Sequence, residues 1–360
     1  MKKRYAALDL VKFLSVFAIG CLMHYRSIAS KAGAPFLLEQ IPVLGTLARY
    51  GHFLVELLFL ISGLLAYQSY FNRIAKNEYT FGKFLKGRIV RLYPAMILST
   101  LAMAIFQWSF YTKNGAFFAE MQNNDLPHLF LNLFGLQTWF SREFTVNQPT
   151  WYLSTLMLCY LLFYGIAASC RKRDMRLLFS LPAFVGITIL TSGLQFALFN
   201  SYIARGLCSF FLGVLLQMLL GIEHIQNRTF CLASLGILAF SAIFCRLLPF
   251  ELAGDLRLFL PFFVYPAFVT LCIKSNLLDR LCSCAFIRYL GNISFGIYLW
   301  DIPTYAGLGL LFDWWGWPLD YTSPAIYALT VLLHLIAGIF SYHFVEKPIV
   351  KKFALHKTSK

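Results

Sequence analysis

The sequence predicts an all-α polytopic membrane protein, a bundle of about ten transmembrane helices with both termini on the cytoplasmic side (N-in and C-in). Three observations carry that expectation. The 360 residues are 59% hydrophobic and only 13% charged, against about 25% charge in an ordinary soluble domain, and the mean hydropathy is +0.66. Apolar runs long enough to cross a bilayer recur from end to end. The basic residues are also spread unevenly among the segments between those runs. The net charge of +15 comes in no block that accompanies a nucleic-acid fold motif, so a nucleic-acid partner is not expected. A charge bias across a membrane is the simpler account.

The expected spans are 6–25, 50–71, 91–110, 150–170, 177–199, 203–221, 230–248, 257–273, 289–311 and 324–345. An even number puts both termini on one side. With that side cytoplasmic, the inner segments hold 22 of the 31 Lys and Arg residues, and the outer segments hold six: Arg26, Lys31, Arg49, Lys113, Arg142 and Arg257. The positive-inside rule then orients the chain. Lys2, Lys3 and Arg4 ahead of an apolar run imitate a signal peptide. Asp9 and Lys12 interrupt that run, however, and no small-x-small site follows His24, so it reads as an uncleaved first span. The whole chain, 1–360, reads as one membrane-embedded domain with a short cytoplasmic tail at about 347–360. The nine cysteines lie mostly in apolar segments without a CxxC pair, as small buried hydrophobes do.

Taken in order, span 1 carries Asp9, Lys12 and, near its outer end, His24. A neutral imidazole takes a proton from a hydroxyl near pH 7, which makes His24 the general-base candidate; the plainer alternative is a polar residue at the membrane boundary. In span 2 His52 and Glu56 are four apart and share a helix face. An intramembrane carboxylate there would orient His24 or His52 and stabilise an imidazolium, or else bond another helix. Phe59, Ser62 and Gly63 follow, and small residues of this kind also serve close helix packing. Ahead of span 3, Arg88 and Arg91 are three apart, a spacing that can clamp a phosphate-rich ligand, although spacing alone favours ordinary anchoring to anionic lipid.

The longest outer loop, 111–149, is aromatic and ends in NQPTWYL, a composition that would let it lie back over the outer mouth. Trp151 and Tyr152 open span 4 as interfacial aromatics or as a stacking surface. Asn292, Ser294 and Asp301 are polar in the otherwise apolar span 9. His334 in span 10 reads as a satisfied core histidine, and Glu346 with Lys347 as a local ion pair.

Together, LDLVKFLSVFAIGCLMH, VELLFLISG, RIVRLYPA, WYLSTLMLCYLL, YLGNISFGIYLW and FVEKP resemble, in order and spacing, the membrane acyltransferase 3 family. The resemblance implies an integral membrane enzyme of the plasma or inner membrane that moves an acyl group, usually acetyl, from cytoplasmic acyl-CoA. The acceptor would be a hydroxyl of a surface carbohydrate or cell-envelope glycan. Acyl-CoA (acetyl-CoA) is then a co-substrate; no cofactor is held permanently, and no metal is expected. By position the family's basic residue and histidine fall on Lys12 and His24, its FxxxG element on Phe59 and Gly63, and its RxxR element on Arg88 and Arg91, the site for the CoA phosphates.

This sequence departs from the family at three places. Lys12 stands where Arg is usual, and eleven residues rather than ten separate it from His24, a rotation of about 100°: either a local bulge absorbs it or Lys12 does not do the usual residue's job. Span 4 lacks the acidic residue many members carry after the tryptophan, and Asp301 replaces a frequent His. The expected roles are His24 and Glu56 as catalytic groups, Arg88, Arg91 and Lys12 on the donor, and Trp151, Tyr152, Asp301 and His52 on the acceptor. A transporter or flippase of a lipid-linked sugar or small acid explains the spans and the acidic residues equally well, and a catalytically inactive sensor is a third reading.

Overall fold

The computed structural model describes residues 4–118, 123–141, 145–222, 225–247 and 256–355. Lys2, Lys3 and Arg142 of the charge count, position 248 at the end of span 7, and the last five residues of the tail lie outside the described residues. Among the described residues 83% are helical, and the only β feature is an isolated bridge between Phe196 and Phe199. It is an all-α polytopic membrane protein.

The principal helices among the described residues are α1 (Ala6–Lys31), α2 (Pro42–Ala75), α3 (Phe81–Asn114), α4 (Leu126–Phe134), α5 (Gln148–Ser169), α6 (Arg176–Ser192), α7 (Ser201–Leu220), α8 (Asn227–Leu247), α9 (Leu256–Lys274), α10 (Ala285–Trp315) and α11 (Pro324–Phe353). Eight of these, α1, α2, α3, α5, α7, α8, α9 and α11, are long and apolar enough to cross a membrane. Two of the ten expected spans fall on helices of a different kind. Helix α6 is apolar but shorter; it stops at Gly193, whose φ of 69° gives the left-handed cap that closes a helix. Helix α10 has 31 residues, and Asn292, Asp301 and its many aromatic residues dilute its hydropathy.

The chain divides into two compact units, each gathered from three stretches. The first comprises residues 1–12, 55–83 and 158–291. Its centre is a crossing of α2 and α7 at two glycines. A Cβ on Gly63 would strike the Phe210 carbonyl, and one on Gly213 would strike the Leu60 carbonyl. Helix α6 meets α7 in the same way, where Gly186 faces the Ala204 carbonyl and the Cys208 amide. Small residues permit this approach, and dispersion between close backbones holds apolar helices together in lipid. Around the crossing Phe163, Phe179, Phe210 and Phe211 are fully buried. Asn200 caps α7 by accepting the Ile203 amide at 3.1 Å.

The second unit comprises residues 13–54, 84–157 and 292–360. Helices α10 and α11 run antiparallel and touch through Gly296 and Gly338: a Cβ on Gly296 would lie 3.0 Å from the Gly338 carbonyl. Further along that contact, five residues on in α10 and four back in α11, Asp301 meets His334. Beyond it lies an aromatic cluster of Tyr25, Phe36, Tyr305, Tyr321 and Tyr327, with the Tyr25 and Tyr327 rings edge to face at 4.9 Å. The chain leading into α5 is tied down by buried side chains. The Asn147 amide donates to Ser99 Oγ (3.1 Å) and the Leu299 carbonyl (3.4 Å), and Gln137 donates to Thr150 Oγ1 (2.8 Å). Asn132 donates to Thr145.

Candidate active site

The site is built where α1 departs from α-helical winding. Residues Ala18–His24 form a π-helical segment, in which each turn takes one more residue than an α-turn. This is the local bulge that the extra residue between Lys12 and His24 calls for. Helix α1 can approach α10 at this level because residue 20 is glycine: an added Cβ would sit 3.3 Å from the Asp301 carboxyl and 3.4 Å from the His334 ring. The Gly20 carbonyl accepts a hydrogen bond from the Tyr305 hydroxyl at 2.7 Å, so the rewound backbone stays satisfied inside the protein, as it must in a medium without water.

His24, 9% exposed, places Nδ1 2.5 Å from Asp301 Oδ2. Asp301 and His334 are each 1% exposed. The other carboxylate oxygen, Oδ1, lies 3.2 Å from His334 Nε2, and His334 Nδ1 lies 2.8 Å from the Thr330 carbonyl. The Tyr305 ring stands edge-on to the His334 ring at 5.0 Å. A buried carboxylate thus bridges two imidazoles. With Asp301 as acceptor, His24 Nδ1 carries a hydrogen and Nε2 keeps its lone pair, the tautomer a general base needs. Among the described residues no group of three or more His, Cys, Asp or Glu side chains is arranged to hold a metal ion; here the carboxylate sits between the rings and bonds each in turn.

Glu56, expected to orient a histidine, is engaged elsewhere. Arg205 grips it with Nε on Oε1 at 2.6 Å and Nη2 on Oε2 at 3.0 Å, a bidentate pair that occupies both oxygens. The carboxylate on His24 is Asp301, which was expected on the acceptor but is buried with both its oxygens on the two histidines. His52 lies in a short 3₁₀ turn within α2, half-buried, its ring 4.1 Å from that of Phe53. Trp151 and Tyr152 are buried, and Tyr152 packs edge to face on Tyr298 at 5.5 Å. Arg88 is half-buried with its guanidinium 5.9 Å from the Phe84 ring centre, and Arg91, one turn on, is exposed. Within the first unit Lys12 pairs with Asp9 at 2.7 Å, and Arg4 also reaches Asp9. Gly291 makes room for that carboxylate, since a Cβ there would collide with the Asp9 side chain.

Sequence reasoning missed Arg205 and the linkage of His24, Asp301 and His334. The signal was present in both cases. An arginine within an apolar span and a glutamate within another each need a partner, and so do an aspartate and two histidines on three such spans. A family model described as an acyltransferase domain matches residues 5–343, nearly the whole chain. No match is found among curated proteins or among solved structures.

Proposed function

The chain belongs to the acyltransferase 3 family, and from that premise we infer that this membrane acyltransferase performs O-acyl transfer with His24 as its general base. The acyl group, an acetyl in the simplest case, comes from cytoplasmic acyl-CoA and goes to a hydroxyl of an extracytoplasmic carbohydrate or envelope glycan. The single observation that carries this reading is the 2.5 Å contact between His24 Nδ1 and Asp301 Oδ2. It fixes the ring's tautomer and orientation and leaves Nε2 to receive a proton.

The acceptor hydroxyl gives its proton to His24 Nε2 as its oxygen attacks the thioester carbonyl. The tetrahedral intermediate collapses with cleavage of the C–S bond, and the CoA thiolate leaves, taking the proton back from His24. Asp301 stabilises the imidazolium in between. Arg88 and Arg91 are assigned to the CoA phosphates, which guanidinium groups bind through paired hydrogen bonds. Trp151, Tyr152 and His52 are assigned to the acceptor side. Lys12 contributes positive charge on the donor side, tempered by its pairing with Asp9.

The test is acyl transfer from labelled acetyl-CoA by the protein in nanodiscs, with a polysaccharide acceptor. His24→Ala and Asp301→Asn are expected to lose about 10²–10⁴-fold in turnover. Arg88→Ala/Arg91→Ala is expected to raise the KM for acetyl-CoA with a smaller effect on kcat. Wild-type protein that neither binds nor consumes acyl-CoA, while moving a lipid-linked sugar or a small acid across the bilayer, is a transporter instead.

A further inference from the structure

We propose that His334 is a positioning residue for this chemistry: it holds a proton against Asp301 in the resting protein and so leaves His24 uncharged and able to act as the base. The proposal rests on the reading of His24 as general base and adds to it the charge state of the site.

The proton positions follow from the partners. The Thr330 carbonyl only accepts, so His334 Nδ1, 2.8 Å away, carries a hydrogen. The opposite ring nitrogen, Nε2, faces Asp301 Oδ1 at 3.2 Å, and two lone pairs do not face each other at that distance without a proton between them. Nδ1 of His24 supplies the proton for Oδ2. Three titratable side chains on three helices then carry one negative and one positive charge. The cluster is neutral overall, the arrangement that buried ionisable groups require in a low-dielectric interior. When His24 takes the acceptor's proton, the new positive charge is balanced by the oxyanion that forms on the thioester carbonyl.

Other titratable groups around the cluster do not supply this proton. Within α10, the Tyr305 hydroxyl is committed to the Gly20 carbonyl. Cys21 of α1, the residue after Gly20, is buried. Tyr321 and Tyr327 belong to the aromatic cluster with Tyr25. Among the described residues the other basic side chain paired with Asp301 is His24. Without His334, the Asp301 carboxylate would be neutralised by His24 itself, and a protonated His24 is no base.

Two measurements decide the matter. The first is the pH–rate profile of acyl transfer for wild type and His334→Gln. The acid limb of the variant is expected to move up by about one pH unit or more, with activity recovering toward wild type at high pH. A role confined to packing lowers the rate by the same factor at every pH and leaves the limb in place; that result overturns the proposal. The second is ¹⁵N-histidine NMR of the unaltered protein in nanodiscs at pH 8, where exposed histidines are neutral. One doubly protonated ring is expected, persisting in His24→Ala and absent from His24→Ala/His334→Gln. Finding every ring singly protonated in wild type overturns the proposal even if the acyl transfer is confirmed. Wild-type protein without transferase activity counts against the proposed function alone, since the NMR still reads the charge on His334.

Discussion

At the scale of single residues, ionisable side chains are satisfied by close partners, and two of these pairings make predictions. Arg205→Ala leaves the Glu56 carboxylate buried without its guanidinium, and the loss is expected to cost about 3–5 kcal/mol. Glu56→Gln/Arg205→Met, which removes both charges, is expected to recover most of that; thermal unfolding in detergent reads the difference. At the turn between α1 and α2, Glu39 accepts from Arg49 at 2.6 Å and from Arg26 at 2.9 Å. Partial burial works to raise its pKa, but these hydrogen bonds and charges outweigh it, so the carboxyl lies below the ordinary glutamate range. Because the folded value is depressed, this contribution is fully present above the unfolded value of about 4.3 and is lost as pH falls through the folded one. Amide protection in residues 32–41, measured relative to the intrinsic exchange rate at each pH, should therefore hold from pH 8 to 5 and fall only under more acid conditions, whereas Glu39→Gln is less protected throughout. His24, Glu56 and Asp301 were legible in the sequence as intramembrane ionisable groups. Their pairing was not, because helical spacing orders residues along one span and says nothing of which spans meet. Four-residue spacing joined Glu56 to His52, while the fold gives Glu56 to an arginine 149 residues away.

At the scale of elements, close helix crossings and one rewound turn do most of the positioning. The FxxxG element reads from sequence as either packing or function, and Gly63 is spent on packing against α7. Gly63→Val is expected to destabilise the protein by about 1–3 kcal/mol through forced displacement of α7. Gly236→Ala in α8, where an added Cβ meets nothing within 4 Å, is expected to be neutral or slightly stabilising; thermal melts of the two variants side by side check this. Helix boundaries were largely legible, because long apolar runs bounded by charge leave little alternative in lipid. The two exceptions follow from composition: α6 is short, and α10 loses hydropathy to polar residues such as Asn292 and Asp301. The π-segment at Ala18–His24 left a trace in the sequence as one residue too many between Lys12 and His24. Its placement depended on Gly20, Asp301 and Tyr305 meeting at one level.

At the scale of the whole molecule, membrane residence and family rest on features that run the full length of the chain: hydropathy, charge bias and the ordered motifs. The charge bias predicts that the 77–80 turn faces the cytoplasm and the 316–323 loop faces outward. An epitope inserted at Gly316 should be labelled in intact cells, and one at Asn77 only after permeabilisation; the reverse pattern would invert the assignment of donor and acceptor sides. The reaction itself is tested most directly by single-turnover transfer of labelled acetyl from acetyl-CoA in nanodiscs, comparing wild type, His24→Ala and Asp301→Asn. Label should reach a carbohydrate hydroxyl in wild type and fall by at least about 10²-fold in both variants, while acetyl-CoA binding is retained. Equal transfer by wild type and His24→Ala would contradict the assignment of His24, with Asp301 behind it, as the base.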